Sequence, residues 1–162
     1  MVENLLNKKN VKRVKEFINL FNKKIKIIEL NKTARTALDA ANSLQVDVGS
    51  IVKSLVFQIK NDKKYILCLI SGDKRVSVEK LSKNVNLKIV TAKAIDVKKV
   101  TGFSIGGIPP FAHKIKLITY IDESLLRFHD LYAAAGHPHC VFKIKYEELI
   151  KLTNAEVGDF SN

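Results

Sequence analysis

An uninterrupted apolar run at positions 65–70, Tyr-Ile-Leu-Cys-Leu-Ile, is the feature that most constrains the fold. A short apolar run bounded by turn residues is typical of a strand that is buried on both faces of a sheet. The charged turn 61–64 precedes the run, and the turn Ser-Gly-Asp-Lys at 71–74 follows it. Residues 51–59 are rich in β-formers and indicate a further strand. We therefore expect a sheet with a buried central strand.

Segments with helical and with strand character alternate along the rest of the chain. Helices are predicted at residues 11–21, 34–44, 78–84, 94–100 and 146–152, with a helical turn near 123–128. Further strands are predicted at 24–30, 87–90, 118–121, 131–134 and 141–144, and a short extended piece closes the chain. Thr33 is the predicted N-cap of the second helix, whose residues Ala37, Leu38, Ala41 and Leu44 are expected to face inward. This order predicts one mixed α/β domain with a curved sheet.

The N-terminal segment carries its own apolar stripe. Val14, Phe17, Ile18 and Phe21 recur at helical spacing beside Lys12, Arg13 and Lys15. The stripe is narrow and the polar face is not uniformly basic, which favours a helix docked on the domain over a helix on a membrane surface. We assign residues 1–24 to a helical extension and residues 25–162 to the domain itself.

The chain is strongly basic, with 28 Lys and Arg against 16 Asp and Glu and a formal net charge of +12. Two interpretations remain open: a polyanionic partner such as RNA, and a solvated basic surface inherited from base composition. No apolar stretch is long enough for a membrane span, and the N-terminus lacks the pattern of a secretory signal. Cys68 and Cys140 lie among apolar neighbours, which predicts reduced, buried thiols in a cytoplasmic protein.

Several catalytic signatures are absent from the sequence, namely Walker A, GxGxxG after a strand, HExxH and paired CxxC motifs. Nucleotide hydrolysis, dinucleotide redox chemistry and structural zinc are therefore disfavoured. His137, His139 and Cys140 are possible ligands, but neighbouring residues on an extended segment alternate between faces and no second cluster completes a tetrahedron. We expect neither a metal nor another cofactor.

Three places in the sequence are candidates for binding or chemistry. Lys53 is a lone cation in the apolar segment 51–57, where it either faces a cleft to meet an anion or is an ordinary outward residue. The loop 101–111 combines glycines and prolines, which suit either a backbone cradle for a small polar substrate or a plain connection. The segment 133–138, Ala-Ala-Ala-Gly-His-Pro, presents His137 beside small residues, for proton chemistry or for structure.

These places occur in an order and spacing that resemble a known family. The matching stretches are residues 33–37, 49–57, 71–76, 101–110, 134–138 and 149–153. Together they resemble the YbaK/prolyl-tRNA-synthetase editing-domain family of aminoacyl-tRNA deacylases over roughly residues 25–160. The pattern around Thr33, Gly106-Gly107 and His137 looks more like the ProXp trans-editing branch than like YbaK proper, whose members usually lack the histidine of the Ala-Gly-His-Pro stretch.

The resemblance implies an α/β domain with a curved, largely antiparallel sheet or partial barrel flanked by helices. It implies a free-standing, cytoplasmic trans-editing enzyme that hydrolyses the ester of mischarged tRNA(Pro) carrying alanine, cysteine or 2-aminobutyrate. The expected partner is the acceptor end of that tRNA, with prolyl-tRNA synthetase or another translation factor as a further candidate and no membrane partner.

The resemblance also assigns roles to residues of this chain. Lys53 would contact the 3′-terminal adenosine and its phosphate, Gly106 would hold the aminoacyl group through its backbone, and His137 would lie beside the terminal ribose. These three are the predicted catalytic residues. The predicted substrate-binding residues are Thr33, Ser71, Gly72, Gly107, Ile108, Pro109, Pro110 and Gly136. Ile105, Ile108 and Phe111 are candidates for setting the size of the pocket.

Other functions also remain compatible with the sequence. One is a non-catalytic module of the same fold that binds tRNA or a synthetase. Another is a deacylase aimed at Cys-tRNA(Pro) or at a different tRNA. A third is a basic scaffold without a role in nucleic-acid binding.

Overall fold

The central strand expected from residues 65–70 lies in the middle of an extended sheet. The structure, a computed structural model, describes residues 4–31 and 35–162. Its strands are β1 Ile27–Glu29, β2 Ile51–Ile59, β3 Tyr65–Ser71, β4 Ile89–Thr91, β5 Ile118–Asp122, β6 Asp130–His137, β7 Cys140–Lys145 and β8 Glu156–Gly158. Its helices are α1 Lys9–Phe21, α2 Ala37–Leu44, α3 Val78–Val85, α4 Ala94–Thr101 and α5 Tyr146–Thr153. Single 3-10 turns occupy Leu5–Asn7, Val48–Ser50 and Glu123–Arg127.

The strands form one mixed sheet in the order β1-β7-β6-β2-β3-β5-β8, and β4 pairs with β2 beside this path. Four of the pairings between described strands are antiparallel, and three, β2–β6, β3–β5 and β5–β8, are parallel. This architecture confirms the predicted single mixed α/β domain, with antiparallel pairings in a small majority.

The apolar character of β3 follows from its burial on both faces. Leu67 and Leu69 belong to the main core cluster, whereas Ile66 and Cys68 belong to a second cluster with Leu81 of α3. Because successive side chains of a strand point to opposite faces, a strand covered on both sides needs apolar residues at every position.

Helix α1 packs into the main core. Val11, Val14 and Ile18 are buried there, in the same cluster as side chains of β6 and β7. The N-terminal helix is thus docked on the domain, as its narrow apolar stripe indicated. None of the helices within residues 4–31 and 35–162 has the length and apolar composition that a bilayer crossing requires.

The start of α2 differs from the prediction. The N-cap is Thr36, whose Oγ1 accepts a hydrogen bond of 3.1 Å from the Asp39 amide, and the helix begins at Ala37. The predicted cap, Thr33, lies outside the described residues. With this register Ala40 and Ala41 are buried, while Leu38 is 57% exposed and does not face inward as predicted. The prediction that Cys68 and Cys140 are buried thiols is confirmed.

Candidate active site

The candidate site lies along one edge of β2, between the ends of two neighbouring strands. On the edge opposite β3, β6 pairs with Ile51 and Val52, and β4 pairs with residues 57–59. Residues 53–55 lie between these two pairings, so no described strand pairs with this edge of β2 there, and we call it the uncovered edge. A pocket of about 320 Å³ opens at this gap. Its lining comprises Arg35, Thr36, Ala37 and Ala40, residues 51–55, Ile105, Gly106 and Ile108, and Tyr132, Ala134, Pro138 and Val141.

Lys53 is placed in this lining by β2 and is half-buried. Its Nζ donates a hydrogen bond to the carbonyl oxygen of Lys74. Burial lowers the pKa of Lys53, the nearby Arg75 lowers it further, and Asp73 acts in the opposite direction. Asp73 is itself engaged, because its carboxylate forms a two-pronged ion pair with Arg127 at 2.6 and 3.0 Å. The ammonium of Lys53 is therefore partly desolvated beside a pocket, an arrangement that favours binding of an anionic group.

The glycine-proline loop closes the pocket opposite β2. Gly106 has a φ of 98°, a left-handed conformation that glycine adopts without strain. A Cβ on Gly107 would lie 3.0 Å from the backbone N and Cα of His137, so the loop packs closely against the backbone at the end of β6. Ile105 and Ile108 line the pocket. Phe111 does not, because its ring stacks on Phe17 of α1 at 4.7 Å.

His137 lies beside the pocket rather than in its lining. Together with Gly107 and Gly136 it lines an adjacent groove, and Pro138 belongs to both. The Nδ1 of His137 accepts a hydrogen bond of 3.1 Å from the amide of His139, which places the proton of the neutral ring on Nε2. The structure thus brings Lys53, Gly106 and Ile108 into one pocket, with the groove that contains His137 next to it.

Pro109 and Pro110 lie outside the pocket lining, at the end of the loop that is anchored to the rest of the domain. The carbonyl of Pro109 accepts a hydrogen bond of 2.7 Å from Nε2 of His113, and Pro110 lines a different cavity. Arg13 of α1 donates to the carbonyl oxygens of Ala112 and His113 at 2.8 and 3.0 Å. The helix and His113 therefore hold the end of the loop in place from outside the pocket.

The buried hydrogen bond of His113 gives a prediction about pH. Burial lowers the pKa of His113 below its ordinary value of about 6.5, although the bond to Pro109 opposes the change. As pH falls through about 6.5, the unfolded chain takes up the proton first. The free energy of unfolding should therefore decrease from there towards the lower pKa of the folded state.

Urea unfolding at pH values from about 5 to 8 measures this dependence. The amide of His113→Gln can still donate to the Pro109 carbonyl but does not titrate. In this variant the free energy of unfolding should therefore depend less on pH. The matched control is His129→Gln, which changes an exposed ring beside Asp130 and leaves the bond between His113 and Pro109 in place, so the decrease at low pH should persist. Equal slopes in wild type and in His113→Gln would contradict the prediction.

Ser71 and Gly72 occupy structural positions outside the pocket lining. The Ser71 side chain is fully buried, donates to the carbonyl of Gly49 and accepts a hydrogen bond of 2.9 Å from Arg127. A Cβ on Gly72 would lie 2.2 Å from the carbonyl oxygen of Val48, so this glycine permits close packing between β3 and the turn before β2. Gly136 similarly faces α1, because its Cβ would lie 2.8 Å from the carbonyl oxygen of Asn10.

Part of the pocket lining has no counterpart among the residues predicted from the sequence. Ser54 lines the pocket, and its Oγ is buried without a hydrogen-bond partner among the described residues. Arg35 adds a second cation, and Tyr132 and Val141 come from β6 and β7. No local pattern singles out these residues, because they meet only where β4 and β6 leave the edge of β2 uncovered.

Comparison with known proteins identifies relatives of the whole domain. A sequence profile described as the aminoacyl-tRNA editing domain matches residues 31–152. The uncharacterised protein YwhH of Bacillus subtilis is 26% identical over 148 residues, which cover 91% of this chain and 94% of YwhH. The multifunctional Ser/Thr-tRNA deacylase ProXp-y of Escherichia coli is 25% identical over 70% of each chain. The proline–tRNA ligase of Lactobacillus acidophilus is 31% identical over 81% of this chain and 25% of the ligase.

Comparison with solved structures also identifies a relative of the whole domain. A crystal structure of a proposed trans-editing enzyme for prolyl tRNA synthetase superposes with a TM-score of 0.90. Its sequence is 36% identical, and the match covers 96% of this chain and 98% of that one. The likeness therefore extends over the N-terminal helix as well as over the sheet.

Proposed function

Because this chain belongs to the aminoacyl-tRNA editing domain family, we propose that it is a trans-editing deacylase for tRNA(Pro) mischarged with alanine, cysteine or 2-aminobutyrate. Members of the family are aminoacyl-tRNA deacylases. The observation that carries the proposal is the pocket at the uncovered edge of β2, where Lys53 and Gly106 lie in one lining. An ammonium suits the terminal phosphate, and backbone groups suit an amino-acid ester.

The proposed reaction needs little from the side chains. An aminoacyl ester is already activated, so positioning of the ester and of a water molecule contributes more than a strong nucleophile. Water attacks the carbonyl carbon, the bond to the ribose oxygen breaks, and that oxygen leaves with a proton as the 3′-terminal hydroxyl. Backbone N–H groups of the loop at Gly106 are suited to stabilise the negative charge that develops on the carbonyl oxygen. In this proposal Lys53 holds the phosphate as a point charge.

Selectivity would come from the shape of the pocket. Ile51, Leu55, Ile108 and Val141 supply apolar lining in a volume of about 320 Å³. One methylene group changes binding by only about 1–3 kcal/mol, so a second hydrolytic site adds discrimination that a synthetase alone cannot reach. A small side chain fits such a pocket. The ring of proline ties the side chain to the amino nitrogen, and in this proposal the shape of the pocket excludes that fixed geometry.

One observation favours a second candidate substrate. Ser54 lines the pocket, and its Oγ, which forms no hydrogen bond with a described residue, would suit a hydroxyl group on the substrate. A seryl or threonyl ester would supply that group, and the relative in Escherichia coli is a Ser/Thr-tRNA deacylase. Ser54→Ala should then slow removal of serine and leave removal of alanine unchanged.

A panel of aminoacyl-tRNAs tests the proposal. We expect rapid release of alanine, cysteine or 2-aminobutyrate from tRNA(Pro), and no acceleration of proline release above the rate in buffer. Release of serine or threonine alone would favour the second candidate. A protein that binds tRNA in a gel-shift assay yet releases no amino acid would be a binding module, and the proposed deacylase activity would be wrong.

A further inference from the structure

A basic groove follows helix α1 on the side away from its buried stripe. Five basic side chains, Lys8, Lys9, Lys12, Arg13 and Lys114, line it, together with one acidic residue, Glu16. We call this surface the α1 groove. Its larger part has a volume of about 770 Å³ and its smaller part about 520 Å³. Neither volume belongs to the pocket at β2.

The α1 groove is continuous with the candidate active site. Lys9 and Asn10 line both of its parts, which joins them into one surface. The smaller part also contains Gly107 and His137, and Pro138 lines both that part and the pocket. A chain that leaves the pocket past Pro138 therefore enters the α1 groove directly.

The charges of the groove are arranged on one helix face. Positions 9, 12, 13 and 16 are spaced by three and four residues, which places them side by side along α1. Lys9, Lys12 and Lys114 are exposed and form no ion pair with another described residue. Arg13 donates hydrogen bonds to two carbonyl oxygens. Because these acceptors are neutral, they do not compensate its positive charge. Like charges so close together repel one another, and a bound polyanion would remove that repulsion.

We propose that the α1 groove binds the phosphate backbone of the acceptor stem where the RNA leaves the pocket. This inference rests on the proposed function, because it needs the 3′ end of a tRNA in the pocket at β2. Lysines along a groove suit phosphates, which take a large share of the hydrogen bonds in nucleic-acid interfaces. Protein interfaces are depleted in lysine, so an acidic protein fits this surface less well.

The experiment compares two triple variants with the same change in charge. Lys9→Gln, Lys12→Gln and Lys114→Gln neutralise the groove. Lys60→Gln, Lys63→Gln and Lys64→Gln neutralise exposed residues at the turn between β2 and β3, at the far end of β2 from the pocket. Binding is measured with tRNA(Pro) that carries no amino acid, and hydrolysis with Ala-tRNA(Pro). A third probe is an alanyl ester of adenosine, which lacks the acceptor stem.

We expect the groove variant to bind tRNA(Pro) on the order of tenfold more weakly than the turn variant at low salt. Three lost phosphate contacts should reduce the slope of log affinity against log salt by about two to three. Hydrolysis of Ala-tRNA(Pro) should show a raised KM and an unchanged kcat, and hydrolysis of the adenosine ester should not change. Circular dichroism and urea unfolding verify that both variants fold.

The other outcomes distinguish the role of the α1 groove from the proposed deacylase activity. Equal tRNA affinity in the two variants, or no tRNA binding by the wild type, would overturn the inference. Equal affinity together with rapid hydrolysis by all three proteins would reject the α1 groove and leave the proposed function intact. Weakened binding in the groove variant without hydrolysis by any protein would support the groove as an RNA-binding surface and reject the deacylase activity.

Discussion

Lys53→Ala should reduce deacylation of Ala-tRNA(Pro) by on the order of 100-fold or more while the protein stays folded. Lys53 is half-buried and lines the pocket, where an ionic contact with phosphate is stronger than in bulk water. Loss of this anchor frees the ester to move relative to the loop at Gly106, and a displacement of about 1 Å can cost 100-fold in rate.

The stability of the Lys53 variant should change little. In the folded state Nζ donates one hydrogen bond, to the carbonyl of Lys74, and the lowered pKa of Lys53 reflects a cost of burial that the substitution removes. These effects oppose one another, so we expect the free energy of unfolding to change by no more than about 1 kcal/mol.

Single-turnover hydrolysis and urea unfolding measure the two consequences separately. Lys60→Ala is the matched control, because Lys60 is exposed immediately after the far end of β2. Lys53→Arg keeps the charge but spreads it over a planar group, and should recover only part of the rate. Full activity in Lys53→Ala would refute the role proposed for this residue and, with it, the assignment of the pocket.

The central features of the fold could be predicted because they depend on local pattern. The apolar run of β3 and the alternating segments around it indicated the sheet and the mixed α/β class. The residue at which helix α2 begins could not be predicted in the same way. The sequence suggested Thr33 as the N-cap of α2, whereas Thr36 is the cap in the structure, and with this start Ala40 and Ala41 are buried in a cluster with Ile51 and Val141 of the sheet.

The site was predictable to the extent that it depends on single unusual residues. A lysine in an apolar strand and a glycine-proline loop pointed to Lys53 and residues 101–111, the family resemblance added Gly106, and Lys53 and Gly106 both line the pocket. Ser54 carried no such signal, because its importance comes from the gap that β4 and β6 leave along β2. That gap is a long-range property of the sheet, and local periodicity does not contain it.

Gly72→Ala should destabilise the protein strongly, although it adds only one methyl group. The added Cβ would lie 2.2 Å from the carbonyl oxygen of Val48, 3.0 Å from Cβ of Ala37 and 3.3 Å from Cβ of Ile51. The nearest of these is backbone, which cannot rotate away as a flexible side chain can. Relief requires β3 to separate from the turn before β2 and from α2, and overpacking of this kind costs about 3 kcal/mol.

Thermal and urea unfolding measure this cost, with Gly102→Ala as the matched control. Gly102 has a φ of 81°, but its Cβ would meet nothing closer than 3.7 Å. The control therefore includes the strain of a left-handed residue, about 1 kcal/mol, without the clash. For a chain of this size the difference of about 2 kcal/mol corresponds to a Tm roughly 4–8 °C lower in Gly72→Ala. Equal stability of the two variants would contradict the close packing of Gly72 against Val48.

The same variant distinguishes two roles for Gly72. The family resemblance predicts that it binds substrate, whereas its position outside the pocket lining favours a packing role. A substrate contact predicts a raised KM in Gly72→Ala at a temperature where the protein remains folded. A packing role predicts lost stability, together with a fall in kcat, because Ala37 and Ile51 would be displaced and both line the pocket. Since the clash involves the wall of the pocket itself, we expect the second pattern.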